Sequence, residues 1–336
     1  MDFSPDEGQQ AVADVVTSVL ERDNSWDALV SGGVTALGVP ERLGGDGVGL
    51  AELATALTEI GRHGTISPAL ATLGLGLVPL LDLASEAQQD RYLAGVTKGA
   101  ILTAALNEPG AALPDRPATA LSGGRLNGTK VGVPYADAAE WILVSTDGGV
   151  AVVAASADGV QITGTPTSNG GDEAAVTFSD VAVDDADVLA TGPEAVRRVN
   201  GLALAATGAF AAGLVAGALR LTADYVANRH QFGRPLSTFQ TVAAQLAEVY
   251  IASRTLDLAA TSVVWRLAEG RDADDDLEVL GYWLTSQAPP VMQTCHHLHG
   301  GMGMDITYPM NRYYSTIKDL ARLLGGPSHR LDLVGV

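Results

Sequence analysis

The sequence has few cysteines, few aromatic residues and few basic residues, and each shortage excludes something. Its single cysteine, Cys295, allows no intrachain disulfide and is typical of proteins from a reducing compartment. Aromatic residues make up only 5% of the chain, whereas glycine occurs 39 times. This composition favours closely packed helices. The 20 basic residues face 39 acidic ones, and the net charge of −19 argues against nucleic acid or an anionic membrane as a partner.

Targeting and membrane-spanning signals are also missing. Residues 1–5 have neither the basic start nor the apolar core of a secretory signal. One long apolar run, over 202–219, lies inside an amphipathic pattern that continues to Arg229. It therefore predicts a buried helix of a bundle rather than a membrane span. We expect a cytoplasmic protein.

The hydrophobic pattern divides the 336 residues into three regions. Residues 1–100 follow a helical period and predict an N-terminal helical domain. Short runs rich in Val and Thr, separated by glycine turns, predict a small antiparallel β domain over 101–190. The helical period returns over 191–336. Individual helices are predicted at 50–62, 67–82, 85–97, 194–228, 238–269, 276–299 and after 309.

Two segments of the C-terminal region have features of a phosphate site. The glycines of 300–303 (Gly-Gly-Met-Gly) would let the main chain approach a pyrophosphate closely. An Arg-x-x-Phe-Gly-x-Pro turn begins at Arg229 and is followed by Gln240. Each segment alone is more simply a connection between two helices. Their order and a separation of about 60 residues favour the phosphate interpretation.

These two segments together resemble the C-terminal signatures of the acyl-CoA dehydrogenase family, which uses FAD to oxidise acyl-CoA thioesters. The start of the chain (Met1-Asp2-Phe3) and the loop at 38–45 look like the opening of that family. Residues 107–111 resemble its Thr-Glu-Pro-Gly-Ala loop, and 127–130 its Asn-Gly-x-Lys strand. The resemblance implies the acyl-CoA dehydrogenase fold, mainly α with a central antiparallel β domain and a C-terminal four-helix bundle.

The resemblance also implies roles for particular residues. In this family the two C-terminal signatures hold the ADP end of an FAD whose ring lies in the neighbouring subunit. His297 stands where the family usually has Gln. The residues expected to bind the cofactor are Arg229, Phe232, Gln240, His297, Gly300 and Gly301.

Several positions depart from the family pattern. Asn107 replaces a threonine that bonds the flavin ring, and Gly132 and Pro134 replace the Trp and Thr beside it. Gly325 stands at the position of the catalytic glutamate. Some members take the base from the helix before Arg229, but 201–213 contains no acidic residue. We expect no catalytic residue in this chain.

The chain keeps the residues expected to bind the nucleotide but lacks those that hold the flavin ring and the catalytic glutamate. This combination predicts one subunit of a heteromeric enzyme. The chain resembles the short subunits of actinobacterial steroid side-chain acyl-CoA dehydrogenases, which assemble as α2β2 heterotetramers. This implies FAD, an acyl-CoA substrate with a steroid side chain from cholesterol catabolism, and a homologous partner that carries the glutamate. It further implies an electron-transfer flavoprotein as acceptor and a chain that is inactive alone.

Two alternatives stay open from the sequence. One is an oxidase or flavin monooxygenase on the same fold, and the other is a non-catalytic subunit that only stabilises its partner. The run from Cys295 to His299 also suggests zinc ligands. Three histidines within one turn of helix cannot all face one ion, so we predict no metal site, and His299 is interpreted as a packed side chain.

Overall fold

The computed structural model describes residues 3–334, so Met1 and Asp2 of the opening signature lie outside the described residues. The N-terminal region is helical, as predicted. The segment predicted as one helix over 67–82 is a π-helix that runs into α4, and the helix predicted over 85–97 ends at Leu93. The elements are α1 Glu7–Leu20, α2 Trp26–Ser31, α3 Leu50–Arg62, the π-helix Leu70–Leu77, α4 Val78–Leu83 and α5 Glu86–Leu93.

The middle region forms two four-stranded sheets, in the orders β1-β4-β5-β8 and β2-β3-β7-β6. Pairing is antiparallel, as predicted, except that β1 and β4 run parallel. Between these two strands the chain passes through the second sheet, and such a crossover lets β4 return in the direction of β1. The strands are β1 Ile101–Ala105, β2 Ala120–Ser122, β3 Arg125–Pro134, β4 Ala139–Thr146, β5 Gly149–Ala154, β6 Val160–Thr165, β7 Glu173–Ala182 and β8 Val188–Thr191.

The C-terminal region is a bundle of long helices joined by a short hairpin and tight turns. Its helices begin and end within a few residues of the predicted bounds. The elements are α6 Pro193–Asn228, the hairpin strands β9 His230–Gln231 and β10 Arg234–Pro235, α7 Gln240–Ala268, α8 Asp274–His299, α9 Met310–Leu323 and α10 Gly326–Leu333.

Helix α6 forms the centre of the bundle. Within the described residues it is the helix long and apolar enough to cross a membrane, and 89% of that apolar stretch is buried inside the protein. Its glycines allow α3 to approach backbone to backbone, since a Cβ on Gly213 would lie 1.9 Å from the Thr58 carbonyl oxygen and one on Gly217 2.2 Å from that of Arg62. This close packing agrees with the low aromatic content.

Candidate functional site

The turn between α6 and α7 presents an exposed aromatic ring in a strained conformation. Phe232 and Gly233 both have positive φ, +53° and +82°, as a two-residue hairpin turn of this hand requires. Phenylalanine rarely adopts this conformation, whereas glycine does so freely. The Phe232 side chain is 90% exposed, so the strain serves to hold an apolar ring out from the surface.

Arg229 begins this turn and is fixed through its backbone. Its N–H donates to the Tyr225 carbonyl at 2.8 Å, and its carbonyl accepts from the Leu236 N–H at 2.8 Å. The guanidinium is exposed and forms no ion pair or hydrogen bond with residues 3–334. The backbone of Arg229 is therefore fixed, and its guanidinium is available to bind an anion.

Gln240 is the first residue of α7 and lies beside the same turn. The rings of Phe232 and Phe239 meet edge to face at 6.1 Å, and the Arg234 guanidinium lies 4.1 Å from the centre of the Phe239 ring. These contacts hold the hairpin against the start of α7. The Gln240 side chain is exposed there, where the free N–H groups of the helix favour an anion.

The end of α8 contributes the glycine segment. Gly300 has φ +57° and donates its N–H to the His297 carbonyl. His297 is exposed in the last turn of α8. A Cβ added at Gly300 or Gly301 would meet nothing within 4 Å, so the main chain is open to an incoming group.

The ends of α6 and α8 meet in one corner of the bundle. The Tyr225 ring, one turn before Arg229, stacks on the His299 ring, immediately before Gly300, with centroids 4.6 Å apart. The six residues singled out from the sequence lie on these two neighbouring helix ends, on the turn that follows α6 and at the start of α7, and we call this set of residues the clamp. The clamp is defined by Arg229, Phe232, Gln240, His297, Gly300 and Gly301.

The chemistry of the clamp fits the ADP portion of a dinucleotide. Its donors are a free guanidinium, an amide, an imidazole and an open glycine backbone, and these are the groups that bind diphosphates in proteins. The exposed Phe232 ring adds an apolar surface for a planar group. By contrast, no group of three His, Cys, Asp or Glu within 3–334 is placed to hold a metal ion.

A second region holds the positions where the sequence departs from the family. Asn107, Gly132 and Pro134 line a cavity of about 120 Å³ between the β domain and the bundle. The Asn107 amide donates to the Leu323 carbonyl at 2.8 Å, and its oxygen accepts from the Leu113 N–H at 2.9 Å. The Asn107 side chain is thus engaged by its own chain.

Leu323 fills the space above Gly132. A Cβ at Gly132 would lie 2.4 Å from the Leu323 Cδ2, so a larger residue there requires the Leu323 side chain to move. Leu323 also borders a solvent-open groove of about 540 Å³ on the other side, and so divides the region into two spaces. A void of roughly 150 Å³ holds one benzene ring, so the inner cavity alone is too small for a three-ring flavin, whereas the outer groove, which Asn107 and Gly132 also line, is larger.

Two of the three carboxylates that line this cavity, Glu173 and Asp319, have structural partners that the sequence did not suggest, while the third, Asp172, is exposed. Glu173 pairs with Arg322 at 2.6 Å. Asp319 accepts the backbone N–H groups of Ser168 and Asn169 at 3.1 and 2.9 Å. Both carboxylates fasten the loop before β7 to α9, so their geometry is that of structural groups rather than of a free base.

A buried ion pair fixes the loop that carries Asn107. Lys130 is fully buried and donates to Glu108 at 2.9 Å and to the Ser145 hydroxyl at 3.0 Å. Burial lowers the pKa of Lys130 to about 8, although Glu108 opposes the shift. Burial would raise the pKa of Glu108, but hydrogen bonds from Ala118, Thr119 and Lys130 outweigh it and lower that pKa to about 2. The motifs 107–111 and 127–130 are joined through this pair.

Gly325→Glu is expected to destabilise the chain and to create no active site. Gly325 has φ +86°, and a Cβ there would lie 2.5 Å from the His329 ring. A side chain at such a backbone angle costs on the order of 1–3 kcal/mol. Thermal unfolding should show the loss. Turnover should stay absent when this variant is combined with a partner that lacks its own carboxylate, and substantial turnover there would mean that this chain retains a competent ring site.

Comparison with family models gives two matches. The acyl-CoA dehydrogenase N-terminal domain matches residues 3–100, and the acyl-CoA dehydrogenase C-terminal domain matches residues 202–331. The second match contains all six residues of the clamp.

Individual relatives match over nearly the whole chain. Acyl-CoA dehydrogenase FadE28 of Mycobacterium tuberculosis is 75% identical over 335 residues, covering 100% of this chain and 98% of the relative. The crystal structure of the ChsE4-ChsE5 complex from the same organism has a TM-score of 0.91 at 30% identity, covering 100% and 98% of the two chains. The Tcur3481-Tcur3483 steroid ACAD has a TM-score of 0.89 at 31% identity, covering 98% and 97%.

Proposed function

The chain belongs to the acyl-CoA dehydrogenase family, and from that premise we propose that it is the base-lacking subunit of a heteromeric, FAD-dependent acyl-CoA dehydrogenase. The assembly would catalyse α,β-dehydrogenation of an acyl-CoA thioester. This chain would hold the ADP end of an FAD whose ring lies in a homologous partner. The partner would supply the catalytic glutamate in an α2β2 assembly.

The observation that carries this proposal is the contrast between the two regions. The clamp is exposed and bears an arginine whose guanidinium has no partner within residues 3–334. In the ring region the Leu323 side chain occupies the space beside Gly132, and Gly325 offers no carboxylate. A subunit that only stabilised its partner would have the second feature but would have no need of the first.

The chain's own residues would act by binding and orientation. Arg229 and His297 would neutralise the diphosphate, and the glycine segment would let it approach the backbone. Phe232 would pack against a planar part of the nucleotide. The bound flavin would supply the two-electron oxidation. No acidic group lies free at position 325, so the proton at the substrate α-carbon would have to leave to a carboxylate of the partner.

The names of the relatives support the class of partner and substrate. The ChsE4-ChsE5 structure is a complex, and the Tcur3481-Tcur3483 structure is described as a steroid ACAD. We accordingly propose a steroid side-chain CoA ester from cholesterol catabolism as substrate and a cytoplasmic location. An electron-transfer flavoprotein would reoxidise the flavin. No contact among the described residues favours the oxidase or monooxygenase alternative.

Expression with and without the partner tests this function. We expect the chain alone to be colourless and inactive, because it lacks the family's ring-binding residues at 107, 132 and 134 and has no carboxylate at 325. The co-expressed pair should be yellow and should oxidise acyl-CoA anaerobically with a flavoprotein acceptor. Flavin absorbance, native mass and acceptor reduction are the measurements. A lone chain that binds stoichiometric FAD and dehydrogenates acyl-CoA would overturn the proposal.

A further inference from the structure

His299 lies beneath the clamp without belonging to it. It is 2% exposed, while its neighbour His297 is exposed to solvent. We propose that His299 is the positioning residue that holds the two halves of the clamp, the Arg229 turn and the glycine segment, in one fixed relation. The proposal rests on the proposed function, because it concerns how the same clamp keeps its shape.

Three contacts connect His299 to three different segments. Its ring stacks on Tyr225 of α6, with centroids 4.6 Å apart and planes 28° apart. Its other side meets the Tyr308 ring of the segment after the glycines at 5.3 Å. Its Nδ1 lies 2.7 Å from the Cys295 carbonyl of its own helix, a hydrogen bond that fixes the plane of the ring. Aromatic pairs of this kind have a preferred geometry, so the stack orients as well as attracts.

The Tyr225 stack and the chain itself connect His299 to the two halves of the clamp. The carbonyl of Tyr225 accepts the Arg229 N–H, so a shift of Tyr225 moves the start of the turn. His299 precedes Gly300 in the chain, and a Cβ on Gly303 would lie 3.3 Å from the His299 Cβ, so the glycine segment folds back over His299. The two halves of the clamp are thus joined through one imidazole.

The role of His299 is steric rather than electrostatic. Burial lowers its pKa, so the ring is neutral at neutral pH and adds no charge to the phosphate site. Tyr225 and Tyr308 are both partly exposed and cover the buried His299 ring, so the stack lies between the core and the surface that carries the clamp. A binding site held ready in this way saves the cost of ordering its parts when the ligand arrives.

FAD affinity of the assembled complex tests the proposal. The complex would be stripped of flavin and titrated with FAD, following fluorescence, for the wild type, His299→Ala and His299→Phe. We expect His299→Ala to bind FAD on the order of tenfold more weakly, because the stack that sets the clamp is lost. His299→Phe keeps the stacked ring but loses the hydrogen bond to Cys295, so it should bind FAD more tightly than His299→Ala and recover most of the affinity.

Leu280→Ala is the matched control for general destabilisation. Leu280 is fully buried in α8, packs against Gly208 and lies roughly five helical turns from His299. Its removal should lower the melting temperature without changing FAD affinity. If His299→Ala does not assemble, Tyr225→Ala removes the same stack from the other side and should show the same loss.

The outcomes separate this inference from the proposed function. Unchanged FAD affinity in His299→Ala, together with weaker binding in Arg229→Ala, would overturn the positioning role and leave the proposed function standing. Equal losses in His299→Ala and Leu280→Ala would also overturn it, since the effect would then follow stability. Unchanged affinity in both His299→Ala and Arg229→Ala would overturn the proposed function itself.

Discussion

Lys130→Met is expected to lower the free energy of unfolding by about 3–5 kcal/mol, the cost of breaking a buried ion pair by removing one partner. Lys130 is 0% exposed and its partner Glu108 is 8% exposed, so the carboxylate left behind cannot recover the lost contact from water. The Ser145 hydroxyl and the Leu106 carbonyl would lose the same donor. Chemical denaturation of the complex at one fixed protein concentration measures the effect.

The double variant Lys130→Met with Glu108→Gln is the control. It removes both charges and keeps an amide oxygen that can accept from Ala118 and Thr119, so a large part of the stability should return. A single variant within about 1 kcal/mol of the wild type would contradict a buried pair, because such a loss is typical of surface pairs.

The same pair predicts the direction of the acid response. The pKa of Glu108 lies at about 2 in the folded chain, below its ordinary 4.5. This carboxylate therefore contributes stability that is present above pH 4.5 and is lost as the pH falls towards 2. In Lys130→Met that pKa should rise, so the loss of stability on acidification should begin at a higher pH.

The elements of the fold follow from the sequence better than their pairing does. The helix predicted at 50–62 has those bounds, because its apolar residues repeat with a helical period and need no distant partner. The parallel pairing of β1 with β4 was not predicted, since alternation along a strand does not say which strand lies beside it.

The same limit applies to the two sites. Residue types predicted the clamp, but the stack between Tyr225 and His299 joins two separate helices, and the sequence suggested only a packed His299. The sequence shows that Gly132 stands where the family has Trp. It does not show that the Leu323 side chain occupies the space beside this glycine. The hydrogen bond from Asn107 to Leu323 spans 216 residues, and no local pattern reports such a contact.

Arg229→Ala is expected to weaken FAD binding by roughly 10- to 150-fold, which corresponds to the loss of about 1.5–3 kcal/mol for a hydrogen bond to a charged group. The Arg229 guanidinium has no partner within residues 3–334, so its removal should leave the fold intact. Arg229→Lys should recover part of the affinity, because lysine keeps the charge and loses the planar fork.

Arg125→Ala is the matched control for the loss of a positive charge. Arg125 lies at the start of β3 in the middle region, half-exposed and paired with Asp180. Its removal makes the net charge one unit more negative, as Arg229→Ala does, and should leave FAD affinity unchanged. Equal weakening in both variants would assign the effect to overall charge rather than to the clamp.

The equilibrium affinity of the flavin-free complex for FAD, wild type against Arg229→Ala, tests the central claim most directly. If the clamp binds the ADP end of the partner's FAD, the Kd for FAD should rise 10- to 150-fold in the Arg229→Ala complex. The same affinity in both complexes would contradict the account, because the flavin would then be held without this chain.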